Sequence, residues 1–332
     1  MATIVLGLGT SHTPMLLASD ETLPRFLETD QTIRHRDKEG NPVTYAELAD
    51  KADPRLAEMT KPDQLVARQN IARAAGRRLT QVLSNARLDA LVVLGDDQNE
   101  SYKEDCRPAC AIYYGDMIRN SNEQHESYRA RFPEWYVQNR QAFFERDAPR
   151  DYPVHAALAT HLIESLMDAN FDLAASQCLP KGEGEGHAMA YVHRRVMDEA
   201  SPIPVVPIFL NTYYPPNQPR PRRVFEFGQA LRQGVESFPG AARVGVAASG
   251  GLSHFLVDEE FDRAILRACA DKDAAFLKSL PRNKLHAGSS EILNWVGLAG
   301  AVEHLDLTWF EYVPGYRTPA GTGTGLSFAT WS

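Results

Sequence analysis

Apolar residues fall along this chain in short unbroken runs rather than in alternation. Four runs stand out: Thr3-Ile4-Val5-Leu6-Gly7, Ala90-Leu91-Val92-Val93-Leu94-Gly95, Val205-Val206-Pro207-Ile208-Phe209-Leu210 and Val244-Gly245-Val246-Ala247-Ala248. A continuous run bounded by glycine and polar residues is the pattern of a strand buried on both faces of a sheet. Between and after these runs the spacing predicts helices over 63–86, 154–170, 222–237 and 258–280. Strand and helix in repeated succession predict an α/β fold, with a mainly parallel or mixed central sheet and helices on both faces.

Three stretches depart from that rhythm. Residues 98–150 are rich in Tyr, Arg, Asn and Glu with weak periodicity, and are expected to form an excursion over the active-site face. Residues 30–62 are likewise polar, and the Gly/Thr-rich stretch 315–325 is expected to be an ordered closing loop. No internal repeat is visible, and the 332 residues are expected to form a single catalytic domain.

Composition narrows the partners. With 35 Lys plus Arg against 43 Asp plus Glu, the net charge is -8, and no basic run is present. Such a balance gives little attraction to phosphate backbones or anionic membrane surfaces, so neither nucleic acid nor membrane is expected as a partner. No apolar stretch approaches the ~20 residues that span a bilayer, and MATIVLGLGT lacks the basic start of a signal peptide. A cytoplasmic protein is expected. Four scattered cysteines suit a reducing compartment, and no second close Cys/His pair joins Cys106 and Cys110 into a zinc site.

In an open α/β sheet, ligands bind beyond the carboxyl ends of the strands, so the residues after each run are the informative ones. They are Ser11-His12-Thr13-Pro14; Asp96-Asp97-Gln98-Asn99-Glu100; Asn211-Thr212-Tyr213-Tyr214-Pro215; and Ser249-Gly250-Gly251-Leu252-Ser253-His254, with Glu259 and Glu260 shortly after. Imidazole, carboxylate and amide groups thus converge on one edge, which suits a divalent metal with nitrogen and oxygen ligands. Taken singly, each has a structural alternative: Asp96 and Asp97 as caps, His254 as a loop bond, Glu259 and Glu260 as first-turn acids favoured by the helix dipole. Gly7-Leu8-Gly9 lacks the rest of a dinucleotide fingerprint, and Ser253 is not centred in a nucleophile elbow.

The Gly-Thr-Ser-His12-Thr-Pro opening, the Gly-Asp-Asp at 95–97, and Gly250-Gly251-Leu252-Ser253-His254 with its trailing Glu259 resemble the class III extradiol ring-cleavage dioxygenases. The similarity runs in order over most of the chain, to the protocatechuate 4,5-dioxygenase catalytic subunit, gallate and 3-O-methylgallate types. It implies an α/β sandwich, a non-haem Fe(II) held by two His and one Glu, and opening of a catecholic or gallate-like carboxylic acid with O2. A small aromatic substrate and O2 are then the expected partners, with a homo-oligomer or a small partner subunit both open. On this basis His12 is the first iron ligand and Glu259 the carboxylate. Gln98 stands where relatives carry the second His of Asn-Asp-His, with Asp97 and Glu100 as alternatives for the third ligand.

Where the resemblance implies an acid/base His before a Pro, this chain has Tyr213-Tyr214-Pro215. His187, in Gly184-Glu185-Gly186-His187-Ala188, is the main candidate for proton transfer, ahead of His125 and His155. Tyr214 joins it as a hydrogen-bond donor, since a phenol of pKa ~10 is a poor base at neutral pH. Thr13, Asn211 and Tyr213 are candidate substrate contacts, and Arg317 a candidate partner for a substrate carboxylate. Two other classes remain: a metal-dependent hydrolase or lyase on the same scaffold, and a binding subunit without turnover.

Overall fold

The computed structural model describes residues 1–122, 132–180 and 183–332. Among these, nine strands form the main sheet in the order β11-β13-β1-β10-β4-β9-β5-β8, with β12 paired to β13. The strands are β1 (Thr3–Thr10), β4 (Ala90–Asp96), β5 (Cys110–Tyr113), β8 (Ala174–Ser176), β9 (Val205–Leu210), β10 (Arg243–Ser249), β11 (His254–Leu256), β12 (Leu307–Tyr316) and β13 (Thr322–Trp331). Two small two-stranded sheets lie outside it: β2 (His35–Arg36) with β3 (Pro42–Val43), and β6 (Met117–Asn120) with β7 (Arg150–Pro153).

The four apolar runs are the parallel centre of this sheet, β1-β10-β4-β9. Alternate residues of each serve opposite layers. Val92, Leu94, Val206, Ile208, Val244 and Val246 pack against helices Ala156–Asp168, Pro221–Ser237 and Ile292–Ala301, whereas Leu91, Val93, Val205 and Phe209 face helix Pro62–Ala86. Both sides of each strand are dry, so no polar position interrupts the run. In β1 the register shifts between Ile4 and Leu6, and this irregularity lets Ile4 serve one layer and Leu6 and Leu8 the other.

Three expectations need correction. The stretch 315–325 is not a loop, because Gly315 and Tyr316 end β12 while Thr322 begins β13, leaving a short connection. Its glycines serve close strand contact: Gly323 has φ +149°, and a Cβ there would overlap the Gly315 carbonyl oxygen. The helix expected over 258–280 is two, Glu259–Ala270 and Ala274–Lys278, with Lys272 left-handed at φ 56° and Asp273 capping the second through Phe276 N. Within 98–150, residues 110–113 add a strand to the main sheet by pairing antiparallel with β9. No helix among the described residues is long and apolar enough to cross a membrane.

Candidate metal centre

The parallel strands deliver their carboxyl ends to one edge, and four buried side chains meet there. One ligand atom from each of His12, Asp96, His187 and Glu291 lies within 4.8 Å of the others. His12 follows β1, and Asp96 is the last residue of β4. His187 opens helix His187–Tyr191, and Glu291 closes the 3-10 turn Ala287–Glu291 ahead of helix Ile292–Ala301. That last helix is tied to the loop after β10 by Asn294 Nδ2, donating to Ser249 O, and by Trp295 Nε1, donating to Gly250 O. Glu291 is thereby fixed, its Oε2 accepting from Gly251 N at 2.8 Å.

The hydrogen-bond network sets the tautomer of His12. The Ser249 hydroxyl gives its proton to the Ala188 carbonyl at 2.8 Å, so its oxygen accepts from His12 Nδ1 at 2.9 Å. His12 Nε2 is then a bare lone pair. It lies 3.6 Å from Glu291 Oε2 and 3.9 Å from Asp96 Oδ1, and neither it nor Asp96 Oδ1 has a hydrogen-bond partner. Burial pushes the His12 pKa down to about 3, in keeping with a neutral ring. A lone pair facing buried carboxylate oxygens is unfavourable unless a cation stands between them, and nitrogen plus carboxylate oxygen suits a divalent transition metal. These residues therefore fit a metal ion.

Two further imidazoles surround the group. His187 Nδ1 donates to Glu100 Oε2 at 2.7 Å, and Arg140 holds the other oxygen of that carboxylate. Burial opposes a charge on His187, but Glu100 outweighs it and lifts the ring to about 9. His254 donates from Nδ1 to Leu252 O at 2.9 Å, while its Nε2 lies 3.2 Å from Glu291 Oε1. Both its nitrogens face acceptors. Burial works against a charged His254, yet Glu291 beside it holds its pKa above the ordinary value. Burial would raise Glu291, but the facing His254 keeps it ionised, whereas Asp96 is pushed up by burial and by Glu291.

The sequence candidates are distributed unevenly around this centre. His12 and His187 are in it. Gln98 lies beside it as a donor, its Nε2 3.0 Å from Asp96 Oδ2 and 3.2 Å from Glu291 Oε1. Glu259 is engaged elsewhere: Tyr316 donates to its Oε1 at 2.9 Å and Arg263 approaches its Oε2 at 3.5 Å, so the carboxylate facing His12 is Glu291. Asp97 is turned back to accept from Ser101 N at 2.7 Å. Asn211 is spent on its own loop, accepting from Tyr214 N and donating to Tyr214 O and Asn217 Oδ1. Thr13 is buried ahead of the short helix Pro14–Leu17.

Tyr213 is raised by burial and by the nearby charges of Glu291 and Asp96, which places its phenol within their field. Burial also pushes Tyr214 to about 12, and the Arg107 guanidinium covers its ring at 4.2 Å. Arg317 does make a bidentate carboxylate pair, but with Asp30, at 2.7 and 2.6 Å inside the protein. His155 caps helix Ala156–Asp168 through Leu158 N, and His125 lies outside the described residues. The residues missed in sequence were Glu291 and the roles of Asp96 and His254; the one available signal was an acid set directly before the segment Ile292–Ala301, apolar but for Asn294.

Comparison with known proteins bears on this centre. The chain is 31% identical over 166 residues to the gallate dioxygenase of Pseudomonas putida, covering 48% of this chain and 46% of that protein. It is 33% identical over 101 residues to a 2,3-dihydroxyphenylpropionate/2,3-dihydroxicinnamic acid 1,2-dioxygenase of Comamonas testosteroni, covering 30% of each. Each match thus spans less than half of the relative's length. The model of the catalytic LigB subunit of aromatic ring-opening dioxygenase matches residues 112–321, which include His187, Tyr213, His254 and Glu291. With more than half of its length matched in this way, the chain belongs to the family of the catalytic LigB subunit of aromatic ring-opening dioxygenases.

Proposed function

We propose that this protein is a non-haem Fe(II) dioxygenase that opens the aromatic ring of a catecholic or gallate-like carboxylic acid with O2. The observation that carries the proposal is the bare His12 Nε2 directed at two buried carboxylates. His12, Asp96 and Glu291 would hold the metal, with His187 at its side. Iron(II) at such a site supplies Lewis-acid capture of a catecholate and electron exchange with O2.

The chain's own groups supply the rest. His254, with Nδ1 held by Leu252, presents a proton at Nε2 beside Glu291 and is placed to exchange it with a phenol oxygen. His187, charged by Glu100, is a second proton donor on the opposite flank. Tyr213 and Tyr214 stay protonated and serve as donors, not bases. Phe143 and Tyr191 lie edge-on or tilted against the His12 ring, at 6.4 and 6.0 Å between centroids, and exclude water from that side.

Two features favour an acid as the substrate. One relative is a gallate dioxygenase. A cleft that reaches His254 is also lined by Arg36, Lys38 and Lys284, together with Asp37 and Asp258. In it Lys284 and Lys38 share Asp258, at 2.8 and 3.4 Å, and the three cationic side chains outnumber the two carboxylates, Asp37 and Asp258, by one.

The test is anaerobic loading with Fe(II), then O2 uptake and loss of aromatic absorbance with gallate, protocatechuate and catechol. Stoichiometric O2 uptake with the two acids, faster than with catechol, is expected. Loss of the aromatic ring without O2 uptake, or no iron retained, would overturn the proposal.

A further inference from the structure

Glu291 and His254 are brought together by one short turn. Ala287–Glu291 carries Glu291 at its end, and Gly288 and Ser289 within it both contact His254. Ser289 Oγ accepts from His254 N at 2.8 Å and donates to His254 O at 2.8 Å, clasping that residue's backbone through both of its polar groups. At Gly288 the imidazole lies flat against the main chain: a Cβ there would overlap Cδ2 and Nε2 outright and come within 2.7 Å of Cγ. The same Nε2 meets Glu291 Oε1 at 3.2 Å. The ring therefore has the Leu252 carbonyl at one nitrogen, Glu291 at the other and bare backbone where any larger residue would stand.

We propose that Gly288 and Ser289 are positioning residues, whose task is to hold the His254 ring in register with Glu291. The turn acts as a gauge: the segment that supplies the carboxylate also fixes how far the imidazole stands from it. A side chain at 288 must drive the ring toward the reacting centre or turn it off the Leu252 carbonyl. Either movement spoils the placement of a proton-transfer group while leaving Glu291, His12 and Asp96 where they are. This rests on His254 and Glu291 belonging to the reacting site, as proposed above.

The experiment compares Gly288→Ala, Ser289→Ala, His254→Ala and the double variant Gly288→Ala/His254→Ala as Fe(II)-loaded proteins. Gly288→Ala is expected to lower kcat by on the order of 100-fold, the cost of an ångström-scale misplacement. KM and bound iron per chain should stay within about twofold of the parent. In the double variant the loss should equal that of His254→Ala alone, because a residue that acts only through the ring has no effect once the ring is gone. Multiplicative losses, or a parental kcat in Gly288→Ala, would overturn the proposal.

If Gly288→Ala does not fold, Ser289→Ala carries the same comparison, with an expected kcat loss of about tenfold for two lost hydrogen bonds. A readout independent of turnover separates this inference from the functional one. In the metal-free protein, nitrogen-15 spectra of the His254 ring should lose the signature of an Nδ1 proton held by Leu252 in Gly288→Ala. Unchanged ring signals would overturn the positioning role even if the parent opened no aromatic ring.

Discussion

Gln98 and Glu291, 193 positions apart, are joined by a hydrogen bond of 3.2 Å, and the same amide nitrogen reaches Asp96 at 3.0 Å. One neutral donor thus separates two buried acids. Gln98→Glu would remove the donor and add a third carboxylate. The metal-free variant should lose on the order of 2 kcal/mol of stability, the scale of a buried hydrogen bond replaced by an unsatisfied charge. Added divalent metal should restore most of that loss, since a cation binding only the folded form stabilises it. Thermal unfolding with and without Fe(II) reads both, and an equal deficit in the two conditions would contradict the placement of the metal.

The two glutamates distinguish the centre from its surroundings. Glu291→Ala should abolish metal retention, measured as iron per chain after gel filtration. Glu259→Ala should keep it, and should cost no more than about 1 kcal/mol, because its partners are Tyr316 and a largely exposed Arg263. Iron lost from Glu259→Ala but kept in Glu291→Ala would reverse the assignment.

Glu100 bridges His187 and Arg140 in a site where all three are buried. Replacing it with Gln removes the charge that Arg140 meets there and the charge that holds the proton on His187. About 3 kcal/mol of stability should be lost, as when one partner is removed from a buried ion pair. Urea unfolding measures this, and a change below 1 kcal/mol would show that water reaches the pair.

Asp262 predicts a pH effect remote from the metal. Burial pushes its pKa up to about 6, although Ser253 and Tyr312 donate to it. The folded protein therefore holds this proton more tightly than the unfolded chain does. Its contribution is fully present below the ordinary Asp range near pH 4 and is lost as the pH rises through about 6. Relative to Asp262→Asn, the parent should lose on the order of 2 kcal/mol between pH 4 and 7. Unfolding curves that run parallel for the two proteins would show that Asp262 is ionised throughout.

The centre of the sheet could be read from sequence because burial on both faces leaves a one-dimensional mark, an apolar run, and because strand ends collect ligands whatever the chemistry. His12 was legible on that rule. Glu291 was not, since it ends a 3-10 turn and follows no strand, and its meeting with Gly251 and His254 is a tertiary event. Glu259 attracted attention through its nearness in sequence to His254, yet the helix it opens turns it toward Tyr316. Gln98 was correctly placed at the edge, but only the three-dimensional network shows that its nitrogen faces the acids. The β12–β13 hairpin was hidden because its glycines and threonines read as a loop until the partner strand is known.

The pairing of β1 with β13 sets the order in which the centre can mature. Gly7–Thr10 lie beside Phe328–Trp331, Ser11 exchanges hydrogen bonds with Ser327, and His254 pairs with Thr324. His12 and His254 are thus both moored to a strand synthesised some 70 residues or more after either of them. During translation the nascent chain carries imidazoles and acids that have nothing yet to align them, and contacts of such long sequence separation form slowly. On the function proposed above, metal capture would then be a late event that follows closure of the sheet. A chain cut short before Thr322 would keep every one of the four clustered side chains and lack the strand that moors His12 and His254.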